Sequence, residues 1–333
     1  MISTIPAPGA VLNEFAMGTQ KDIIFTYDDL DQLWRISLGE HADISAAYYN
    51  GDYSKSLEQA QRDKHEWILK KTGFKPGCRV LDIGCGWGPM LKTIKDRGGD
   101  GIGLSLSPKQ VEVCRQNGLN AILRDWKELQ PGELGKFEVV ISIGSFEHFC
   151  SVEEYFEDKR DEIYDCFFRT CYDLLVDKGR LYLQTMTWGK NLPWGDREPT
   201  AEDIKQCSLR APYKTDERVL ASVRMFFPGS WIPRDHNHIE RIAEPYFDLL
   251  ATSDGRLDYI KTLTEWEKAW YAPDRKKILP RINLWLAPLF RDKAYRAKMR
   301  CLKENDIREV FIRDLFDHQR IFFQKKTTAG AHG

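Results

Sequence analysis

Asp82 ends a short apolar run, Arg79-Val80-Leu81-Asp82-Ile83, and Gly84, Gly86 and Gly88 follow it at G-x-G-x-G spacing. Glycines there let a ligand approach the backbone closely. A pyrophosphate-binding turn spaces its glycines G-x-G-x-x-G, so the third glycine comes one residue early for a dinucleotide. Backbone N–H groups of such a loop can meet a carboxylate while Asp82 holds an ammonium, and those are the two ends of the amino-acid part of S-adenosylmethionine. Asp125 and Trp126 follow a later apolar run. The acid can accept from an adenine amino group and the indole can lie against the ring; equally, they read as an exposed acid beside a core Trp. Ile143-Gly144 ends another run, and Glu147-His148 stand just beyond it. The second run, Gly103-Leu104-Ser105-Leu106-Ser107, carries no acid for ribose hydroxyls, which leaves Gln110 for that role or as a solvated helix residue.

The elements that must position these residues alternate. A helix is expected over Ser56–Thr72, with Ser56 as its cap and Gly73 as its stop;. Strands follow at 79–83, 101–106, 121–123, 137–143 and 180–186, with helices at 89–97, 108–117 and 152–175 between them. That rhythm predicts a parallel, doubly wound α/β sheet with its ligand at the carboxyl ends of the first strands. After Trp188 the pattern breaks at Asn191-Leu192-Pro193-Trp194-Gly195 and again at Pro228-Gly229, which suits a cap. Helices are expected at 239–246 and 261–271, and a closing edge strand at 321–324. The division is a lead-in over 1–42, a ligand-binding core over 43–188, a cap over 189–300, a closing helix and strand over 301–326 and a frayed tail over 327–333.

Composition narrows the classes. The 333 residues are 42% hydrophobic with 49 Lys+Arg against 50 Asp+Glu, a packed-core composition with no positive excess to favour nucleic acid;. The 8 cysteines form no C-x-x-C pair, so neither a zinc site nor a disulfide scaffold is expected;. No signal-like start and no long apolar run is present, and a cytoplasmic, reduced protein is expected. Residues 274–300 hold nine basic and two acidic residues among Ile278, Leu279, Ile282, Trp285 and Phe290. The stretch suits peripheral contact with an anionic membrane, at its inner face, or with an acidic acyl carrier; it equally suits a helix pair with a solvated charged face.

The segments Val80-Leu81-Asp82-Ile83-Gly84-Cys85-Gly86-Trp87-Gly88, Gly103 to Gln110 and Ser142-Ile143-Gly144-Ser145-Phe146-Glu147-His148-Phe149 resemble the cyclopropane fatty acid synthase and mycolic acid methyltransferase family. Ser45-Ala46-Ala47-Tyr48-Tyr49, Phe227-Pro228-Gly229 and Asp258 to Trp266 extend the resemblance. It implies a Rossmann-like class I methyltransferase sheet with an inserted α-helical cap, and methyl transfer from S-adenosylmethionine to the alkene of an unsaturated fatty acyl or similar hydrophobic chain. It also carries cofactor binding onto Ser45, Cys85, Leu104, Ser105, Ile143 and Gly144, beside the residues read above. Family members hold bicarbonate as a base, in a cradle that maps onto Glu147, Tyr259 and the Ile143 carbonyl. Ala46 and Gln184 stand where the cradle has Cys and His. Gln can hydrogen-bond but carries no proton, and Ala has nothing polar. Related plant-type N-methyltransferases share the glycine loop and the Glu-His pair, so a second reading is N- or O-methylation of a small hydrophobic metabolite, with Glu147 and His148 acting on the amine. A third is a non-catalytic cofactor-binding relative.

Overall fold

The Ser56 side chain accepts a hydrogen bond from the Gln59 N–H and starts helix α1 (Leu57–Lys71);. Its inner face presents Leu57, Ala60, Ile68 and Leu69, and also the buried Lys64 and His65. The computed structural model describes Leu38 and residues 42–225, 227, 229–279, 281–282, 286, 296 and 306–327. Most of the expected lead-in, most of 283–300, Phe226, Pro228 and the tail beyond Thr327 lie outside the described residues.

From α1 the chain alternates as expected: β1 (Arg79–Ile83), α2 (Pro89–Asp96), β2 (Asp100–Ser105), α3 (Pro108–Gln116), β3 (Asn120–Leu123) and β4 (Phe137–Ile143). These strands are parallel where they pair, and so is β5 (Leu175–Trp188) beside β4. Side chains alternate across the sheet, so Val80, Val139 and Tyr182 enter one core while Leu81, Val140 and Leu181 enter the other;. The expected single helix over 152–175 is two, α4 (Val152–Phe156) and α5 (Arg160–Leu174). Asp158, at φ +60°, turns the chain between them. After β5 come helices α6 (Ala201–Gln206) and α7 (Asp216–Arg224) in the segment expected as a cap, then α8 (His236–Ala243).

The far side of the sheet departs from the all-parallel expectation. Strand β7 (Phe316–Lys325) is not an edge: it runs antiparallel between β5 and a further strand, β6 (Phe247–Asp254). The full order is β3-β2-β1-β4-β5-β7-β6. Buried on both faces over most of its length, β7 reads as continuous rather than alternating;. No strand is expected from the sequence between 189 and 300, because β6 exposes Leu249 and Leu250 in succession and carries acids at both ends, which hides its period. Helices α9 (Arg256–Tyr271) and α10 (Asp306–Ile312) flank β7. Since β2 and β3 lie on one side of β1 and β4 on the other, a crevice opens beyond the carboxyl ends of β1 and β4;.

Candidate active site

The glycine loop is fixed by its neighbours. The N–H groups of Gly84 and Cys85 both donate to the Leu104 carbonyl at 2.9 Å. Gly84 sits at φ +89°, and a Cβ on it would fall 2.4 Å from Ser145 Cβ. Ser145 Oγ in turn donates to the Ile83 carbonyl at 2.7 Å, so the ends of β1, β2 and β4 are laced together around the turn;. Gly88 caps α2 and lines none of the cavities described below; the space a Cβ would need is filled by Leu119 and Cys114, at 2.7 and 2.9 Å. Cys85 lines the small chamber beside the loop, and its sulfur crowds Gly103 on β2.

A cavity of about 880 Å³, its open mouth included, lies over this crevice. Gly84, Gly86, Leu104, Ser105, Gln110, Asp125, Trp126, Ile143 and Gly144 line it. Asp125 Oδ1 accepts the Lys127 N–H at 3.0 Å and so caps the turn that carries Trp126. The Trp126 indole is buried against Phe149 and Phe167, at ring distances of 5.0 and 5.4 Å, which makes it a fixed wall. Gln110 Oε1 accepts from Ser105 Oγ at 2.8 Å, which holds both residues at the cavity edge.

Beside the glycine loop a smaller chamber of about 370 Å³ is lined by Asp82, Gly86, Asp43, Ser45 and His65. Asp82 Oδ1 is buried and has no partner. Burial first, then repulsion from Asp43, pushes the Asp82 carboxyl up to about 7, against the pull of Lys64;. An orphaned buried acceptor beside backbone donors suits an ammonium and carboxylate pair. Beneath it lies a network the sequence reading missed. Lys64 Nζ reaches Asp43 Oδ2 at 2.6 Å and Ser45 Oγ at 2.5 Å, and His65 Nε2 reaches Asp43 Oδ2 at 2.9 Å. Burial would raise the Asp43 acid, yet Lys64 and His65 hold it well below the carboxylate range. On a helix, Lys64 and His65 look like solvated polar residues, and only the fold turns them inward.

A second cavity of about 710 Å³ adjoins the first through the shared residues Ile44, Gly144 and His148. Glu147, Gln184 and Tyr259, together with His148, line it, so the residues singled out for chemistry converge from β4, β5 and α9. Glu147 Oε1 accepts the Met186 N–H at 2.7 Å, whereas Oε2 is buried without a partner. Burial pushes this carboxyl up to about 7, and the Met186 bond only partly opposes it. The His148 Nδ1 lies 2.7 Å from Ser230 Oγ, and burial pushes the imidazole down to about 4, so it is neutral at physiological pH. Tyr259 packs on Phe311 at 4.7 Å.

Gln184 is already engaged: its Nε2 donates to the Ala46 carbonyl at 3.2 Å and its Oε1 accepts from Tyr182 OH at 2.8 Å. With Ala46 buried and apolar and both ends of the Gln184 amide in use, the residues present do not fit a bicarbonate cradle;. Leu263 and Trp266 share the cavity with Tyr259, at the i+4 and i+7 positions of the same helix face, a signal the sequence contained. His318 of β7 also lines it and had no local signal at all. A third, apolar cavity of about 480 Å³ continues past Glu147, Met186 and Phe227, walled by Val223, Trp188, Trp231, Ile232 and Phe316. Trp194 packs edge-on against Trp188 at 5.3 Å and lines none of these cavities.

Sheet order, loop and crevice define a class I S-adenosylmethionine-dependent methyltransferase. The chain belongs to the mycolic acid cyclopropane synthetase family, whose sequence pattern matches residues 17–283. It is 29% identical over 255 residues to cyclopropane mycolic acid synthase 2 of Mycobacterium leprae, covering 73% of this chain and 77% of that one. Over 255 residues it is 28% identical to hydroxymycolate synthase MmaA4 of Mycobacterium tuberculosis, covering 74% and 76%. The mycolic acid cyclopropane synthase CmaA1, solved with SAH and CTAB, shares the fold at a TM-score of 0.67 and 24% identity, over 96% of this chain and 99% of that one.

Proposed function

We propose that this methyltransferase acts on the alkene of an unsaturated fatty acyl or similar hydrophobic chain. The observation that carries the reading is continuity: the acceptor cavity meets the cofactor cavity at Ile44, Gly144 and His148 and runs on into the apolar third cavity beyond Glu147. The cofactor supplies an electrophilic methyl group. In this reading Asp82 and the loop of Gly84 and Gly86 hold the methionine end, Asp125 and Trp126 the adenine, and Gln110 the ribose, with Gly88 serving helix packing. An alkene is a poor nucleophile, so the acceptor must be held at near-attack distance and the positive charge it develops kept from water. The aromatic walls of Phe227, Trp266 and Tyr259 exclude water, and Glu147 faces the developing charge with its unpartnered Oε2;.

Ala46 and Gln184 favour a second reading, methylation of a nitrogen or oxygen on a small hydrophobic metabolite, since such an acceptor needs no bicarbonate. Peripheral contact with an anionic membrane is a further part of the proposal. It is supported by Ile278, Leu279 and Ile282, which are 53%, 66% and 46% exposed next to Arg275 and Arg281;.

Cells expressing the protein and fed methyl-labelled methionine provide the test. Labelled acyl chains heavier by one CH2 unit support the lipid reading. Label confined to an amine or phenol overturns it in favour of the second. Salt-sensitive pelleting with anionic vesicles tests the membrane contact, and a protein that stays in the supernatant overturns it.

A further inference from the structure

His318 stands on β7 directly opposite Met186 of β5, the residue whose N–H holds Glu147. Opposed residues of an antiparallel ladder present their side chains on one face, so the imidazole and the Glu147 carboxylate enter the same cavity;. The ring meets Tyr259 edge-on at 5.1 Å. It is 2% exposed, and its Nδ1 has no partner. Nδ1 faces Gly255, where a Cβ would fall 2.3 Å from it, so Nε2 is the ring nitrogen left for the cavity. A buried ring nitrogen left without a hydrogen bond is costly, and an apolar residue at this position would avoid that cost.

Burial, with the Arg320 and Lys64 cations nearby, holds the ring neutral. Arg320 is engaged with Asp258 at 2.9 Å and Lys64 with Asp43, so no carboxylate ties the imidazole down. Glu147 and His148 are the other proton-accepting groups lining the cavity, Glu147 bonded through one oxygen to the Met186 N–H and His148 Nδ1 2.7 Å from Ser230 Oγ.

We propose that His318 takes the proton that the acceptor gives up after methyl transfer. The inference rests on the methyl-transfer reading above. The sulfonium C–S bond breaks with its electron pair remaining on sulfur, the acceptor's electron pair forms the new bond to the methyl carbon, and the cationic product passes a proton to the imidazole. A weakly basic ring suffices, because a proton beside a carbocation is strongly acidic, and a neutral ring is always ready to receive it. The role that the absent Cys and His would share with an anion then falls to a side chain 134 positions further along than Gln184.

The test compares two probes on the protein loaded with S-adenosylhomocysteine: dodecylammonium, which has N–H donors, and dodecyltrimethylammonium, which has none. The wild type should prefer dodecylammonium, His318→Val should lose about tenfold of that preference, and His318→Gln, which keeps an acceptor, should retain most of it. An unchanged preference in His318→Val with S-adenosylhomocysteine binding intact overturns the proposal. Imidazole 15N shifts of the wild type give a measurement free of any folding defect: the His318 nitrogens should move on adding dodecylammonium, and unmoved signals overturn the contact. In methyl-labelled cells His318→Val should cut labelled product at least tenfold. Because the probe ratio is independent of which molecule is methylated, it separates failure of this role from failure of the lipid reading.

Discussion

The Gln184 amide nitrogen donates to the Ala46 carbonyl at 3.2 Å, so the two positions where this chain departs from the family's anion cradle are bonded to each other. With Tyr182 OH occupying the other end of the amide, Gln184 acts as a strut between β5 and the segment before α1. Methyl transfer should therefore proceed at an unchanged rate in buffer stripped of bicarbonate, measured as S-adenosylhomocysteine release. A rate that collapses on stripping and returns with added bicarbonate would show an anion held despite the strut.

Glu147→Gln should leave S-adenosylmethionine affinity within about twofold while lowering transfer by roughly 10²-fold or more, the range expected for a charged group facing the reacting atoms. Calorimetry and a single-turnover assay read the two effects separately. An equal loss in both would place Glu147 in cofactor binding instead.

Two buried carboxyls, Asp82 and Glu147, are pushed up to about 7. A folded-state value above the unfolded one means that the folded chain binds extra protons between about 4 and 7. The stability these groups contribute is complete below their unfolded values and is lost as pH rises through 7. His148, pushed down to about 4, works the other way and costs stability as pH falls below about 6.5;. The protein without cofactor should unfold at a lower temperature at pH 8 than at pH 6, and Asp82→Asn should flatten that slope. Cofactor affinity should rise between pH 5.5 and 7.5 in the wild type as Asp82 ionises to meet the ammonium, and this rise should be absent in Asp82→Asn.

Arg320 is fully buried, 2.9 Å from Asp258 and 2.7 Å from the Ala47 carbonyl. Arg320→Met should cost about 3–5 kcal/mol by urea denaturation, because it strands the Asp258 charge. Adding Asp258→Leu should recover a large part of that loss. If the single substitution is neutral, the pair does not hold the segment over 43–49 in place.

Gly84→Ala should abolish cofactor binding without unfolding the sheet, since the added methyl meets Ser145 at 2.4 Å in a turn at φ +89°;. Circular dichroism alongside cofactor titration distinguishes this from general misfolding.

What could be read from the chain was whatever is local. The β1 turn, the Ser56 cap and the β4 end with Glu147 each lie within one short stretch, so their chemistry and their position are written together. His318 enters the site only because β7 runs antiparallel beside β5 and sets it against Met186, a pairing across 132 positions that leaves no periodic trace. Lys64 and His65 are hidden for the opposite reason: their helix was legible, but its covered face was not, because their charge is matched by Asp43 from another segment. Strand β6 went unread because its outer face is exposed and its sequence alternates weakly.

Ile44 lines the cofactor cavity, the acceptor cavity and the small chamber beside Asp82. In the proposed reading a substitution there is pleiotropic: donor and acceptor affinities change in the same step and cannot be tuned apart. Phe227, Leu263 and Trp266, by contrast, touch the acceptor cavity and not the cofactor cavity. Drift toward new substrates is thus channelled to the cap and α9, leaving the donor half of the enzyme as a fixed inheritance on which acceptor preference can diversify.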